Sequence, residues 1–288
     1  FPGTIAVTEQ AGQAGADAQP TAYAAVSQES SLSALSGLIG AYAETFALTD
    51  SKNTSIGGSA TVKPVFDGDP FASDNGMADG EATLHDRSLA ILKVALVNLD
   101  RLHFDAAAGS LCDTATVAAA GTVSRTRRVS AVEAARAIVA LRTAYRALTA
   151  QLTLYSDATP DTLVTTTALD GTSLRGVPGG VALATRIQQI IKAQADVLSM
   201  RLVDASGLAT NAYDFAQGQA DSQPTRVESQ AAAVVGLLEA YLATGQSVYR
   251  DRAVTAYDVL ESRFHLPALA TYRTTLGADD VFTWTPER

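Results

Sequence analysis

Apolar residues recur at intervals of three and four along six stretches of the chain, the spacing that lines one face of an α-helix. The clearest run is Ala134, Ile138, Leu141, Tyr145, Leu148, Leu152 and Tyr155, which alternates steps of four and three without a break. Leu35, Leu38, Tyr42 and Phe46 mark a first helix over residues 22–48, and Leu89, Leu92, Leu96 and Leu99 a second over 84–103. Leu183, Ile187, Ile190 and Val197 predict a fourth over 180–203, and Val227, Ala231, Val234, Leu238 and Tyr241 a fifth over 226–243. Ala253, Tyr257, Leu260 and Phe264 complete a sixth over 247–264. Residues 1–20 have no period and are rich in Gly, Ala and Gln, which predicts an extended, poorly packed tail ahead of one helical domain over 21–288.

Helix starts are marked where a hydroxyl can accept an orphan backbone N–H and an acid follows three residues on: Thr83 to Asp86, Ser130 to Glu133 and Thr225 to Glu228. Thr244-Gly245-Gln246 is too short for anything but a reversal, so the fifth and sixth helices are antiparallel neighbours. Three related pieces, RLHFDAAAGSL from Arg101, RLVDASGLAT from Arg201 and RFHLPALATY from Arg263, each close a pair of helices. The predicted fold is therefore all-α: three antiparallel helical hairpins, over 22–104, 130–204 and 226–264, each followed by a turn and a short extended arm. A lone hairpin cannot cover its apolar stripe, so the hairpins are expected to stack. His103 and His265, each just after a closing Leu or Phe, are expected at equivalent places.

Composition narrows the function classes. The formal net charge is -9 and the pI about 4.8, which disfavours a phosphate-backbone partner, so nucleic acid is excluded as an expectation. Arg125, Arg127 and Arg128 read as a solvated turn paired with local acids. The single cysteine, Cys112, excludes a disulfide framework and cysteine-rich metal sites and reads as a small buried residue. No stretch of eighteen or so apolar residues exists, so no transmembrane segment is expected. Phe1 is not a translated start, and four lysines against seventeen arginines in an Ala-, Thr-, Ser- and Asp-rich chain fit an exported bacterial protein, secreted, periplasmic or at the cell surface, whose signal has been removed.

At GLLEAYLATGQSVYRDRAVTAYDVLESRF, residues 236–264, the chain resembles the repeat of α/α-toroid proteins, the six-hairpin glycosidase-like superfamily. Leu237-Leu238-x-Ala240-Tyr241-x-x-Thr244-Gly245, the following Tyr249, and Arg252-Ala253 carry the similarity. The resemblance implies a half or open α/α toroid, since three hairpins are found where the family builds six. It also implies carbohydrate chemistry among the alternatives, because the superfamily includes glycoside hydrolases, polysaccharide lyases and sugar epimerases beside members without known chemistry. A stack that ends after three hairpins exposes apolar edges, which predicts another protein chain or self-association.

The densest polar constellation is VFDGDPFASDNGMADGEATLHD, residues 65–86, within an acidic loop that begins near residue 50. Asp67, Asp69 and Asp74 are the candidate ligands for a calcium ion, although the spacing departs from the twelve-residue EF-hand loop and a solvated acidic loop is the alternative. Asp79, Glu81, His85 and Asp86 are the candidates for acid–base work, as a carboxylate pair in the manner the toroid glycosidases imply. Adjacent His85 and Asp86 point to different faces of a helix, and Asp86 also suits a cap. Tyr213, Phe215, Phe282 and Trp284, outside the helical stripes, are the candidate contact surface for a sugar or a partner. No nucleophile elbow, phosphate loop, dinucleotide fingerprint or paired-histidine zinc motif occurs. The expected function is a non-catalytic exported protein that binds a partner protein or surface glycan through its loops. The alternative is a carbohydrate-active enzyme, hydrolase or lyase, using carboxylates of the 67–86 loop.

Overall fold

A computed structural model describes residues 5–10, 19–25, 27–48, 84–118, 120–149, 151 and 177–277. Among these lie six α-helices, α1 (Leu32–Leu48), α2 (Leu84–Asn98), α3 (Ala131–Leu148), α4 (Gly180–Val197), α5 (Val227–Thr244) and α6 (Ser247–Val259), with small antiparallel strand pairs between them. The all-α hairpin class expected from the periodicity is what the chain adopts. By its contacts the chain divides into two compact units, one of residues 1–127 with 140–190, the other of residues 128–139 with 191–288.

The three closing pieces are one structural motif. Helices α2, α4 and α6 each run into a five-residue π-helical turn, Leu99–His103, Leu198–Leu202 and Leu260–Phe264, and then into a short arm. In the first arm β4 (Phe104–Asp105) pairs with β5 (Ser110–Leu111). In the second a single bridge joins Val203 to Ala209, and in the third β11 (His265–Leu266) pairs with β12 (Thr271–Tyr272). The last carbonyl of each turn accepts a backbone N–H from the far side of the arm: Cys112 to His103 at 2.9 Å, Thr210 to Leu202 at 2.8 Å, Arg273 to Phe264 at 2.9 Å. Just beyond, the first N–H of each opening helix is satisfied by the chain that follows the arm: Leu32 to Asp113 O at 2.8 Å, Ala131 to Asn211 O at 2.9 Å, Val227 to Thr274 O at 2.9 Å. These helix-start donors would otherwise be orphans.

Those bonds correct the register read from the arginines. Arg201 and Arg263 are each the fourth residue of their turn, whereas Arg101 is the third, so Leu102 is their counterpart. They also correct the histidine pairing, because His103 ends its turn where Phe264 ends the third, and His265 corresponds to Phe104. A left-handed residue shapes the same point of every arm: Gly109 at φ 62°, Gly207 at φ 91° and, without glycine, Ala270 at φ 48°.

The chain ahead of α1 differs from expectation. Residues 19–25 form β2, paired with β1 (Ile5–Gln10), and residues 29–31 form β3, paired with β6 (Thr114–Val117), so α1 starts at Leu32 rather than near residue 22. Helix α3 stops at Leu148, and Gln151 donates its N–H to Arg146 O at 2.7 Å, so the regular ladder does not extend the helix; Leu152 and Tyr155 lie outside the described residues. Ser130 caps α3 as expected, accepting the Glu133 N–H at 3.2 Å. Thr225 does not cap α5: its hydroxyl donates to Ala209 O at 2.6 Å, and Asn211 Oδ1 instead accepts the Arg226 N–H and the Ser229 hydroxyl. Gly245 ends α5 in the left-handed conformation, at φ 70°.

In the first unit α1 packs on α2 through buried Leu35, Ile39 and Phe46 and Leu92, Leu96 and Leu99. His103 is fully buried there; its Nδ1 donates to Cys112 O at 2.8 Å and its Nε2 accepts the Ser30 hydroxyl at 2.9 Å, so the ring is held neutral in one tautomer. Burial lowers its pKa below the ordinary histidine value against the raising effect of the Cys112 carbonyl. Cys112 is likewise buried, and burial together with Asp105 pushes its thiol up to about 11.

In the second unit α5 packs on α6 and on the π-helical turn after α4. A Cβ built on Gly236 would lie 2.8 Å from Leu198 Cδ2 and 2.9 Å from Ala135 Cβ, so glycine permits the close approach of α5 to the start of α3. The residues that carry the family-like signature are structural ties: Tyr249 is buried and donates to Asp196 at 2.7 Å, and Arg252 donates to the carbonyls of Ser199, Val203 and Asp204.

Candidate binding site

Strands β8 (Arg128–Ser130), β9 (Ala212–Asp214) and β10 (Gln219–Ala220) form one antiparallel sheet in the second unit, with β9 in the middle. Direct cross-strand partners share a face. Arg128 stands opposite Asp214, and Asp214 opposite Gln219, so a guanidinium, a carboxylate and an amide line up in one row. A cavity of about 300 Å³ opens over this row, bounded further by Gln217, Asp221 and Gln223.

The row is preorganised by local bonds. Asp214 Oδ1 accepts the N–H groups of Ala216 and Gln217 at 2.7 and 3.0 Å, the turn that brings β10 back beside β9. Gly218, at φ 71°, completes that turn. Gln219 Nε2 donates to Gln217 Oε1 at 2.8 Å, which orients both amides. Asp221 Oδ1 accepts the half-buried Thr210 hydroxyl at 3.1 Å. Among the described residues each carboxylate bonds the scaffold through one oxygen, Oδ1. The pocket offers acceptors from two acids and both functions from the glutamine amides, the mixture that suits a ligand rich in hydroxyls.

Of the aromatic candidates, Tyr213 and Phe215 come together with ring centroids 5.1 Å apart, edge to face, and the Arg201 guanidinium lies 5.8 Å above Tyr213. Strand alternation directs Tyr213 away from the face that carries Asp214. Phe282 and Trp284 lie outside the described residues. Asp67, Asp69, Asp74, Asp79 and Glu81 also lie outside them; His85 and Asp86 fall in the first turn of α2, with side chains outside the described set. Among the described residues no group of three or more His, Cys, Asp or Glu side chains gathers as a metal ion requires, and no helix is long and apolar enough to cross a membrane.

The arginine cluster is divided between roles. Arg127 pairs with Asp105 at 3.1 Å and Arg125 donates to Arg101 O at 2.7 Å, as a turn paired with local groups would, while Arg128 borders the pocket. Nothing in the sequence marked Asp214, Gln219 and Asp221, because their alignment with Arg128 arises from pairing across more than eighty residues of chain.

A second cavity, about 260 Å³, lies in the first unit between Leu96 and Leu99, Leu141 of α3, and Leu183 and Ile187 of α4. Its border carries a two-pronged ion pair, Arg186 Nε and Nη2 to Asp100 at 3.1 and 2.8 Å, with the guanidinium 4.8 Å over Phe104. Arg186 Nη1 donates further to Gln189 Oε1 at 3.2 Å.

No protein-family model matches the chain, and no curated protein matches it in sequence. Among solved structures it is similar to a sugar epimerase from a ruminal bacterium, with a TM-score of 0.50 and 14% identity over 85% of this chain and 45% of that one. It is also similar to a D-mannose isomerase, with a TM-score of 0.42 and 11% identity over 88% of this chain and 65% of that one. The chain thus spans less than half the length of the epimerase. The epimerase has a toroid-like helical fold, and the likeness places the chain in that fold class.

Proposed function

We propose that this is an exported carbohydrate-binding protein without catalytic activity of its own, which takes sugar hydroxyls in the pocket over Arg128, Asp214 and Gln219. The observation that carries the reading is the sheet row itself: an acid between a cation and an amide, joined by Asp221, with both acids tied to the scaffold through one oxygen. Such planar groups bond pairs of neighbouring hydroxyls, and their prior fixation reduces the ordering cost of binding. The fold likeness to a sugar epimerase supports a sugar as the ligand class only by analogy. The lysine-poor, acidic composition supports export.

Calorimetric titration with a panel of monosaccharides and oligosaccharides tests this reading. At least one should bind, and Asp214→Asn or Asp221→Asn should weaken it by roughly tenfold or more, the scale of a lost charge-assisted bond. A panel with no binder sinks the proposal.

The same fold likeness favours a second reading, a carbohydrate-active enzyme drawing on Asp79, Glu81 or Asp86 of the acidic loop, with calcium on Asp67, Asp69 and Asp74. Release of reducing ends or unsaturated products from any polysaccharide, abolished by alanine at one of those acids, would establish it. Binding without turnover would leave the first reading.

A further inference from the structure

The second cavity, in the first unit, is an apolar chamber with a charged border. The spacing of four and then three places Leu183, Ile187 and Ile190 on one face of α4. That face meets Leu96 of α2, Leu99 of the turn after it and Leu141 of α3, and the six side chains surround about 260 Å³. Each is at most 6% exposed, so the chamber is cut into the core and does not merely crease the surface. An aliphatic wall offers water no hydrogen bonds, and an apolar cavity of roughly 150 Å³ already takes a benzene-sized guest. A space nearly twice as large suits a guest of about ten heavy atoms.

The border is polar and carries an excess of positive charge. Among the described residues its charged members are Arg101, Arg186 and Asp100, in a chain whose formal net charge is -9. Arg186 is committed: two of its nitrogens bond Asp100 at 3.1 and 2.8 Å, the third bonds Gln189, and the guanidinium lies over Phe104. That pair cancels the charge of Asp100, so Arg101 supplies the surplus. Arg101 is exposed as the third residue of its π-helical turn, and Arg125 Nη2 donates to its carbonyl oxygen at 2.7 Å, which brings another guanidinium beside it.

We infer that this cavity binds an amphiphilic carboxylate such as a medium-chain fatty acid, its alkyl body among the leucines and isoleucines and its carboxylate on Arg101. Polarity and charge choose this occupant. The aliphatic wall rejects a sugar, whose hydroxyls would lose water without replacement, and the surplus guanidinium prefers an anion to a neutral or cationic head. Each buried methylene adds transfer free energy, and the planar guanidinium fixes which end of the guest faces outward. The cavity and the sugar pocket share no residue, and neither reading depends on the other.

Calorimetric titration of the whole chain with octanoate, 1-octanol and acetate at about pH 7.5, where a carboxylic acid is ionised, tests the inference. Octanoate should bind with a Kd on the order of 100 μM or tighter, 1-octanol roughly tenfold more weakly, and acetate not at all. Arg101→Gln should weaken octanoate by roughly tenfold and leave 1-octanol within about twofold of the parent. Ala182→Phe, which adds a ring at an exposed position on the cavity lining, should abolish binding of both. Ala182→Leu repeats that test if circular dichroism shows that the ring disturbs folding. Absence of octanoate binding at about 2 mM overturns the inference. So does 1-octanol binding as tightly as octanoate, or an octanoate affinity that Arg101→Gln leaves unchanged. Binding that the Ala182 variants leave intact also overturns it, by assigning the contact to the general surface.

Discussion

The first and third arms reach the same backbone geometry by opposite side-chain chemistry. His103 and Phe264 end equivalent π-helical turns and both are fully buried, one satisfied by Ser30 and the Cys112 carbonyl, the other by packing alone. Asp105 accepts the N–H groups of Ala107 and Ala108 in the first arm, where the third has Leu266 followed by Pro267, which presets the turn without a side-chain acceptor. What the two share is the pair of backbone bonds that close the hairpin. The repeat is thus specified by backbone satisfaction, and a position can be polar or apolar provided the buried group is complete.

The largest expected effect tests the apolar arm. Phe264→Ala leaves a ring-sized void in a fully buried site and should cost about 3–5 kcal/mol in urea unfolding. A loss below about 1 kcal/mol would show that the third arm is held by its backbone bonds without the ring.

Gly207→Ala probes the second arm, where an added Cβ would meet Thr255 O at 2.5 Å at a φ of 91°. Strain and overpacking together predict a loss of about 2–4 kcal/mol, measured the same way. The same change at Gly109, with open space around it, should cost only about 1 kcal/mol.

The polar arm carries a pH signature that the apolar arm lacks. Burial lowers the folded pKa of His103, so below its unfolded value of about 6.5 the unfolded chain binds more protons. The stabilisation is complete above that value and is lost as pH falls below it toward the folded pKa, by up to about 1.4 kcal/mol per unit. Unfolding free energies between pH 7.5 and pH 5 check this, and His103→Phe, which imports the third arm's residue, should flatten that part of the profile. An unchanged slope would mean another group titrates.

The smallest effect is a near cancellation. Ala270 holds the left-handed place that glycine fills in the other arms, so Ala270→Gly relieves strain and adds unfolded-chain entropy, a near balance expected within about 1 kcal/mol of the parent. Thermal unfolding of this variant beside Gly109→Ala compares the two arms at one position.

Much of this was legible in the chain. The period of three and four placed the six helices, and their ends at His103, Val203 and Phe264 match the ends of the π-helical turns to within a residue. Local spacing suffices there because a helix satisfies its own backbone and needs only one apolar face. The arms were legible as repeats, yet aligning Arg101 with Arg201 slipped the register by one, since Arg101 is the third residue of its turn and Arg201 the fourth.

Residues 22–25 and 29–31, read as the start of the first helix, are strands because they pair with β1 and with Thr114–Thr116, the latter far along the chain. The row of Arg128, Asp214 and Gln219 had no local signature, because its strands come together across more than eighty residues of chain. Helical period, turn residues and charge are properties of neighbours in sequence, so the chain alone determined the hairpins, their order and their closing arms. Which acids share a pocket and which apolar stripe meets water depend on residues brought together from distant segments, and only tertiary packing decided them.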